Sequence, residues 1–230
     1  MLPAPIQFRP IYESRLPQNS PPAFNTTPTV LALIALNVVV HVVRLLLPEH
    51  WAMMMGTLGA FSPPWFLATV TGAQSDYAIP LLLSPITYAF LHGDLLHLGI
   101  NMAFLLAFGT AVERRLGRYR FLALYFVCAL FAAGASVALF QATQEQTFMV
   151  GASGAISGLF GAALRLTMRR VHAAAAIFIG LNLIMGYTGL PSMGEVRAIA
   201  WEAHIGGFLA GFILLPLFAG AARQFRRGPS

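Results

Sequence analysis

The chain has 230 residues, of which 57% are hydrophobic and only 10% are charged. Its mean hydropathy of +0.71 excludes an ordinary soluble domain of this size and indicates a polytopic membrane protein. The formal net charge of +6 comes from 14 basic residues, all of them arginine, against eight acidic residues.

The N-terminal part, residues 1–28, contains seven prolines and no compact basic-then-apolar stretch with a small-residue cleavage site. We predict that it is an irregular cytoplasmic segment followed by an uncleaved first helix. Residues 29–220 are predicted to form one helical domain, and residues 221–230 a basic cytoplasmic tail.

Six apolar runs are long enough to cross a hydrocarbon core of about 30 Å, which takes about 20 residues each. They cover residues 29–47, 93–112, 121–141, 149–166, 173–190 and 199–219. The predicted fold class is therefore an all-α polytopic membrane protein, built as a bundle of six transmembrane helices in a lipid bilayer. Cys128 is the single cysteine, so no intrachain disulfide forms and stability must come from helix packing.

The segment between the first two runs is rich in aromatic residues, methionine and proline, and is too apolar for a solvated loop. Trp51, Trp65, Phe61 and Tyr88 suit the interfacial belt of a membrane. We predict short helices and turns in or against the outer leaflet, with an ordinary extracellular linker as the alternative.

The arginines concentrate on one side of the bundle when the six spans alternate in direction. Because arginine concentrates in short cytoplasmic segments, this side is predicted to be cytoplasmic, with both termini on it. Arg44 and Arg197 fall on the other side. The positive charge is therefore explained by the orientation of the spans in the membrane, and no nucleic-acid partner is expected. An alanine-rich composition without lysine favours a bacterial plasma membrane, with a mitochondrial membrane as the alternative.

The second span carries His97 and Asn101 four residues apart, hence on one helical face about 6 Å from each other. A polar pair inside hydrocarbon indicates either a contact that joins two helices or a functional site. His92 lies on a different flank, and we predict that it makes a structural hydrogen bond between the loop and the top of the helix.

The sixth span contains His204, and the fourth contains Ser153, four residues after its predicted start at 149. Both lie within about 6–10 Å of the outer helix ends, as does Asn101. The two spans carry glycines at spacings that permit close helix contact, which are Gly207 and Gly211 in the sixth span and Gly154, Gly158 and Gly161 in the fourth.

A serine beside a neutral histidine can act as a nucleophile, because the histidine removes the hydroxyl proton and returns it to the leaving group. We predict that Ser153 is the nucleophile and His204 the base. The backbone N–H groups at the start of the fourth span, with Asn101 and His97, would stabilise the oxyanion. Glu202 lies about 200° round the helix from His204, so a dyad without an acidic partner is expected.

Other classes fit the pattern less well. A transporter or channel would place several charged residues inside the spans. A metalloprotease using His92, His97 and His204 lacks HExxH-like spacing and a carboxylate ligand. A soluble α/β-hydrolase would carry a second flanking glycine after the serine, in a strand–turn–helix context.

The segments "HGDLLHLGIN" (92–101), "GASG" (151–154) and "AHIGGFLAG" (203–211), in this order on alternate spans, resemble the rhomboid intramembrane serine proteases. The resemblance covers roughly residues 29–219. It implies hydrolysis of a peptide bond in or near the transmembrane helix of a substrate protein, with Ser153 and His204 catalytic and no metal or cofactor. It also implies an oxyanion role for His97 and Asn101 and a structural role for His92.

Further features of the resemblance lie outside the catalytic pair. The segment "ERRLG" (113–117) matches a family signature in which Glu113 and Arg115 are structural. The resemblance also implies a water-filled cavity that opens outward, and a movable cover formed by the fifth helix and the loop at 189–198.

The chain departs from many members of the family at two places. Leu83 and Ser84 stand where a Trp-Arg pair is common, and Ser157 stands where an aromatic residue is common four positions after the nucleophile. The alternative function is a catalytically silent rhomboid-like protein that binds transmembrane helices.

Overall fold

The structure is a computed structural model that describes residues 26–73, 76–167, 171–188 and 200–220. These ranges are helical apart from short connections. The helices are α1 (Pro28–Leu46), α2 (Glu49–Gly59), α3 (Pro63–Val70), α4 (Ala78–Thr87), α5 (Leu95–Phe104), α6 (Thr110–Leu116), α7 (Arg118–Thr143), α8 (Ser153–Thr167), α9 (Val171–Thr188) and α10 (Trp201–Ala219). A π-helical segment, Leu105–Gly109, joins α5 and α6 into one helical span of 22 residues.

The predicted all-α polytopic fold is confirmed. Within the described ranges, five helices are long and apolar enough to cross a membrane, namely α1, the α5–α6 span, α7, α9 and α10. Three predicted regions lie wholly or largely outside the described residues: the N-terminal segment up to residue 25, the loop at 189–198 and the tail at 221–230.

The fourth predicted span begins later than the sequence indicated. We predicted a helix from residue 149, but α8 starts at Ser153 and has 15 residues, or about 22 Å. The preceding residues are not helical because Met149 exchanges two backbone hydrogen bonds with Phe61, at 3.0 and 2.8 Å between N and O. The nucleophile predicted from the sequence is therefore the first residue of a short helix.

Helix α8 lies at the centre of the bundle, packed mainly against α10 and α7. Ten of its residues are buried. The predicted glycine contact with α10 is confirmed, because a Cβ atom at Gly207 would overlap the carbonyl oxygen of Gly154, and one at Gly211 would overlap that of Gly158. The two backbones can approach this closely only where side chains are absent.

The segment between α1 and α5 forms the short helices that the sequence predicted, but Phe61 and Tyr88, which we assigned to the interfacial belt, are buried in the core. Tyr88 is fully buried at its end and donates its hydroxyl to the carbonyl of Ala129 on α7, at 2.9 Å. The Tyr88 carbonyl in turn accepts the N–H of Gly151, at 2.9 Å. This segment therefore fixes the position of Gly151, in the turn that leads into α8.

Glu113 connects the other end of the bundle to α1. Its buried carboxylate accepts the Thr27 hydroxyl and the N–H of Val30, the latter at 3.2 Å. The N–H groups of a first helical turn have no partner within the helix, so Glu113 caps α1 from a distant helix. Arg115, which we predicted to share this structural role, is exposed.

Candidate active site

Ser153 and His204 meet where α8 and α10 come together. The Oγ atom of Ser153 lies 2.9 Å from Nε2 of His204, and both side chains are partly buried. The facing glycines, one turn deeper, let the two helix backbones approach closely enough for this contact. The two residues that the sequence singled out as nucleophile and base are thus within hydrogen-bond distance.

Asn182 of α9 contacts the other ring nitrogen of His204. Its Oδ1 lies 2.9 Å from Nδ1 of the histidine, and its Nδ2 donates to the carbonyl of Phe178 at 2.9 Å. Since Nδ2 is the donor group of the amide, Oδ1 is left as the acceptor of the Nδ1–H of His204. This tautomer leaves the Nε2 lone pair free to accept the hydroxyl proton of Ser153.

Asn182 was not among the residues singled out from the sequence, because a lone asparagine in the apolar run 173–190 is part of no motif. The depth of Asn182 along its helix could have indicated that it lies near His204. Counted from the outer end of α9 at Thr188, Asn182 lies about 9 Å deep, close to the level of His204.

His97 lies against the turn that precedes Ser153. A Cβ atom at Gly151 would come within 2.6 Å of the His97 Nε2, so the ring occupies the space next to this glycine. Asp94 caps α5 by accepting the N–H of His97 at 2.7 Å, which fixes the start of the helix that carries the ring. His97 is therefore next to the start of α8, where the predicted oxyanion would form.

Asn101 is buried one turn further along α5. Its Nδ2 donates to the carbonyl of His97 at 2.9 Å, while its Oδ1 is buried without a hydrogen-bond partner among the described residues. The amide is therefore partly engaged with its own helix, and its predicted contribution to an oxyanion stays a prediction.

His92 is buried behind His97, with the two ring centroids 5.2 Å apart. Burial, together with the neighbouring His97 and His41, lowers the pKa of His92 to about 3, so its ring is neutral. Its Nε2 can then accept the N–H of Ala152, at a long 3.5 Å, and its carbonyl accepts the guanidinium of Arg44 at 2.8 Å. These contacts agree with a structural role, although the hydrogen bond of the ring is with the turn before α8 and not with the top of α5.

Glu202 faces away from the histidine. It is buried on α10 and accepts the hydroxyl of Ser136 on α7, at 2.6 Å. The contact joins α10 to α7, and the side chain next to Nδ1 of His204 is the neutral amide of Asn182.

Comparisons with known proteins identify the family of the chain. The Rhomboid domain matches residues 82–220, which is more than half of the chain. RHOMBOID-like protein 5 of Arabidopsis thaliana is 35% identical over 134 residues, covering 56% of this chain and 41% of that protein. Rhomboid protease GluP of Bacillus subtilis is 34% identical over 148 residues, covering 61% of this chain and 25% of that protein.

A third relative aligns over more of the chain. Rhomboid protein 1, mitochondrial, of Saccharomyces cerevisiae is 28% identical over 207 residues, covering 83% of this chain and 54% of that protein. The matched part thus spans between a quarter and about half of the length of these three relatives. With the domain match, the five apolar spans and the glycine-packed α8 and α10, the chain belongs to the rhomboid family of multi-pass membrane proteins.

Proposed function

We propose that this chain is an intramembrane serine endopeptidase that cleaves peptide bonds in or near the transmembrane helices of other membrane proteins. The observation that carries the proposal is the 2.9 Å contact between Ser153 Oγ and His204 Nε2 inside a membrane bundle. Among the similar proteins, Rhomboid protease GluP and the Rhomboid-like proteases 1 and 3 of Toxoplasma gondii carry names that state a protease.

The first half of the reaction forms an acyl-enzyme. Ser153 Oγ attacks the carbonyl carbon of the scissile bond while its proton moves to Nε2 of His204. The tetrahedral intermediate then collapses, the C–N bond breaks, and His204 returns the proton to the leaving amine. The result is an ester between Ser153 Oγ and the N-terminal fragment of the substrate, while the C-terminal fragment leaves as the amine.

The second half consumes one water. His204 removes a proton from the water as it attacks the ester, and then returns that proton to Ser153 Oγ as the carboxylic acid product leaves. In both halves the oxyanion lies near the N-terminus of α8, whose first N–H groups have no partner within the helix. The His97 ring, next to Gly151, is a further donor within reach of this region.

We propose that the site opens to the outside of a bacterial plasma membrane, with both termini in the cytoplasm. The support is the placement of arginines, since Arg114, Arg115, Arg118 and Arg120 flank the α6–α7 junction and Arg165 lies in the last turn of α8. The α6–α7 junction and the end of α8 lie on the same side, because α7 returns the chain to the side where α8 begins.

The test is covalent labelling of the full chain in detergent by a fluorophosphonate, which reacts with activated serines. We expect the wild type to label, and Ser153→Ala and His204→Ala to lose labelling. Ser157→Ala is the matched control, since it removes a buried serine hydroxyl one turn further along the same helix and is expected to label normally.

Folding of each variant is followed by its thermal unfolding midpoint. A folded wild type that does not label would refute the proposal and favour a rhomboid-like protein that only binds transmembrane helices. Labelling that survives in Ser153→Ala would refute the assignment of the nucleophile.

A further inference from the structure

We propose that Asn182 is a positioning residue for His204, so that the site works as a Ser153–His204–Asn182 triad and not as a dyad. The inference rests on the proposed function. It assigns to α9, the least buried of the five long helices described, a direct part in orienting the base.

The geometry places Asn182 where a third member would be needed. The Oδ1 atom lies 2.9 Å from His204 Nδ1, while Nε2 of the same ring lies 2.9 Å from Ser153 Oγ. A neutral imidazole carries its proton on one nitrogen only, and a partner on the other nitrogen decides which tautomer is present. An acceptor at Nδ1 therefore leaves Nε2 as the base toward the serine.

The amide itself is held in one orientation. Its Nδ2 donates to the Phe178 carbonyl four residues earlier, so rotation by half a turn would lose that bond and present a donor to the histidine N–H. Asn182 is also the one buried residue in α9, although the rest of the helix is largely exposed. A polar side chain buried in an otherwise lipid-facing helix indicates a specific role.

Packing contacts on either side of Asn182 fix its position along the helix axis relative to His204. One turn below, the ring of Phe178 stacks on Phe208 with centroids 4.7 Å apart. One turn above, Gly186 lies against the Trp201 indole, where a Cβ atom would meet Cδ1 at 2.5 Å. Phe178, Asn182 and Gly186 are four residues apart and so lie on one face of α9. They contact Phe208, His204 and Trp201, which lie on successive turns of α10.

A neutral amide suits this depth better than a carboxylate. A charged group in a low-dielectric surrounding has a large desolvation cost, whereas an amide orients the ring without a net charge. The amide also provides a restraint on the ring in a chain that has Ser157 where an aromatic residue is common in the family.

The experiment measures fluorophosphonate labelling kinetics of the full chain in detergent, with the maximal labelling rate and the half-saturating probe concentration determined separately. Asn182→Leu keeps the approximate volume and removes the acceptor. We expect its maximal rate to fall by about 10-fold or more, with the half-saturating concentration unchanged, because a misoriented base affects the chemical step. Asn182→Asp restores an acceptor oxygen and is expected to recover labelling to within about threefold of the wild type.

The matched control is Asn37→Leu. Asn37 is a fully buried asparagine of α1 whose Nδ2 also donates to the carbonyl four residues earlier, at 2.8 Å, but it does not contact His204. Its variant should label at close to the wild-type rate, because no transition-state interaction is removed.

Each outcome decides between the two proposals. If the wild type labels and Asn182→Leu labels at the same rate, the positioning role is wrong while the protease assignment stands. If the folded wild type does not label, the protease assignment itself fails. Should Asn182→Leu unfold, Asn182→Ala replaces it, and a folded Asn182→Ala that labels at the wild-type rate would overturn the inference.

Discussion

Gly151 occupies the turn in which the chain leaves its contact with Phe61 and enters α8. Its φ angle of +110° lies in a region that residues with a side chain rarely adopt, and a Cβ atom there would come within 2.6 Å of His97 Nε2. Gly151→Ala therefore strains the backbone and displaces the His97 ring. We expect a loss of about 1–3 kcal/mol in the free energy of unfolding and a labelling rate about 10-fold lower.

Thermal unfolding and fluorophosphonate labelling measure these two effects. Gly134→Ala is the control, because a Cβ atom at Gly134, inside α7, meets nothing within 4 Å. That change should leave labelling intact and stabilise the helix by up to about 1 kcal/mol. Equal behaviour of the two variants would show that the turn tolerates a side chain and that His97 has no fixed place beside it.

The contact between α8 and α10 is the element that brings the serine to the histidine. Gly207 lies one turn below His204, and a Cβ atom there would overlap the backbone carbonyl of Gly154, next to Ser153. Because a carbonyl in a packed helix cannot move aside as a side chain can, Gly207→Ala must separate the helices. We expect destabilisation by about 1–3 kcal/mol and a labelling rate at least about 10-fold lower, since Ser153 and His204 are carried apart.

Gly180→Ala tests whether any added methyl group has this effect. Gly180 lies in α9, and a Cβ atom there meets nothing within 4 Å, so we expect unchanged labelling and an equal or higher unfolding midpoint. Normal labelling of Gly207→Ala would mean that the helices can separate without loss of the catalytic contact. The close glycine packing would then have no part in assembling the site.

At the scale of the whole molecule, the sequence predicted the architecture well because the length of an apolar run is a local property. The first span was predicted at 29–47 and is found at Pro28–Leu46, and the fifth was predicted from 173 and begins at Val171. Glycine spacing likewise predicted that the fourth and sixth spans pack face to face. With the spans in place, counting residues from the helix ends was enough to bring Ser153 and His204 to one level.

What the sequence did not predict depends on contacts between distant segments. The late start of α8 follows from the pairing of Met149 with Phe61, 88 residues earlier, and no local pattern near Met149 indicates it. The contact between Asn182 and His204 needs the rotation of α9 about its axis, and an apolar helix without a distinct polar face carries little information about rotation. Asn101 is a second example. Its depth along the helix could be counted from the sequence, but that depth does not determine which group its side-chain amide hydrogen-bonds.

The orientation of the bundle in its membrane gives the last prediction. Cys128 is the single cysteine and is fully buried, so the chain offers a low background for thiol labelling. Tyr119→Cys and Glu145→Cys place exposed thiols near the two ends of α7, about 39 Å apart along the helix direction. In intact bacteria that produce the chain, a membrane-impermeant maleimide should label Glu145→Cys and spare Tyr119→Cys, whereas lysed membranes should label both. Because arginines crowd the Tyr119 end, the reverse pattern would show that the charge rule fails here and that the site opens to the cytoplasm.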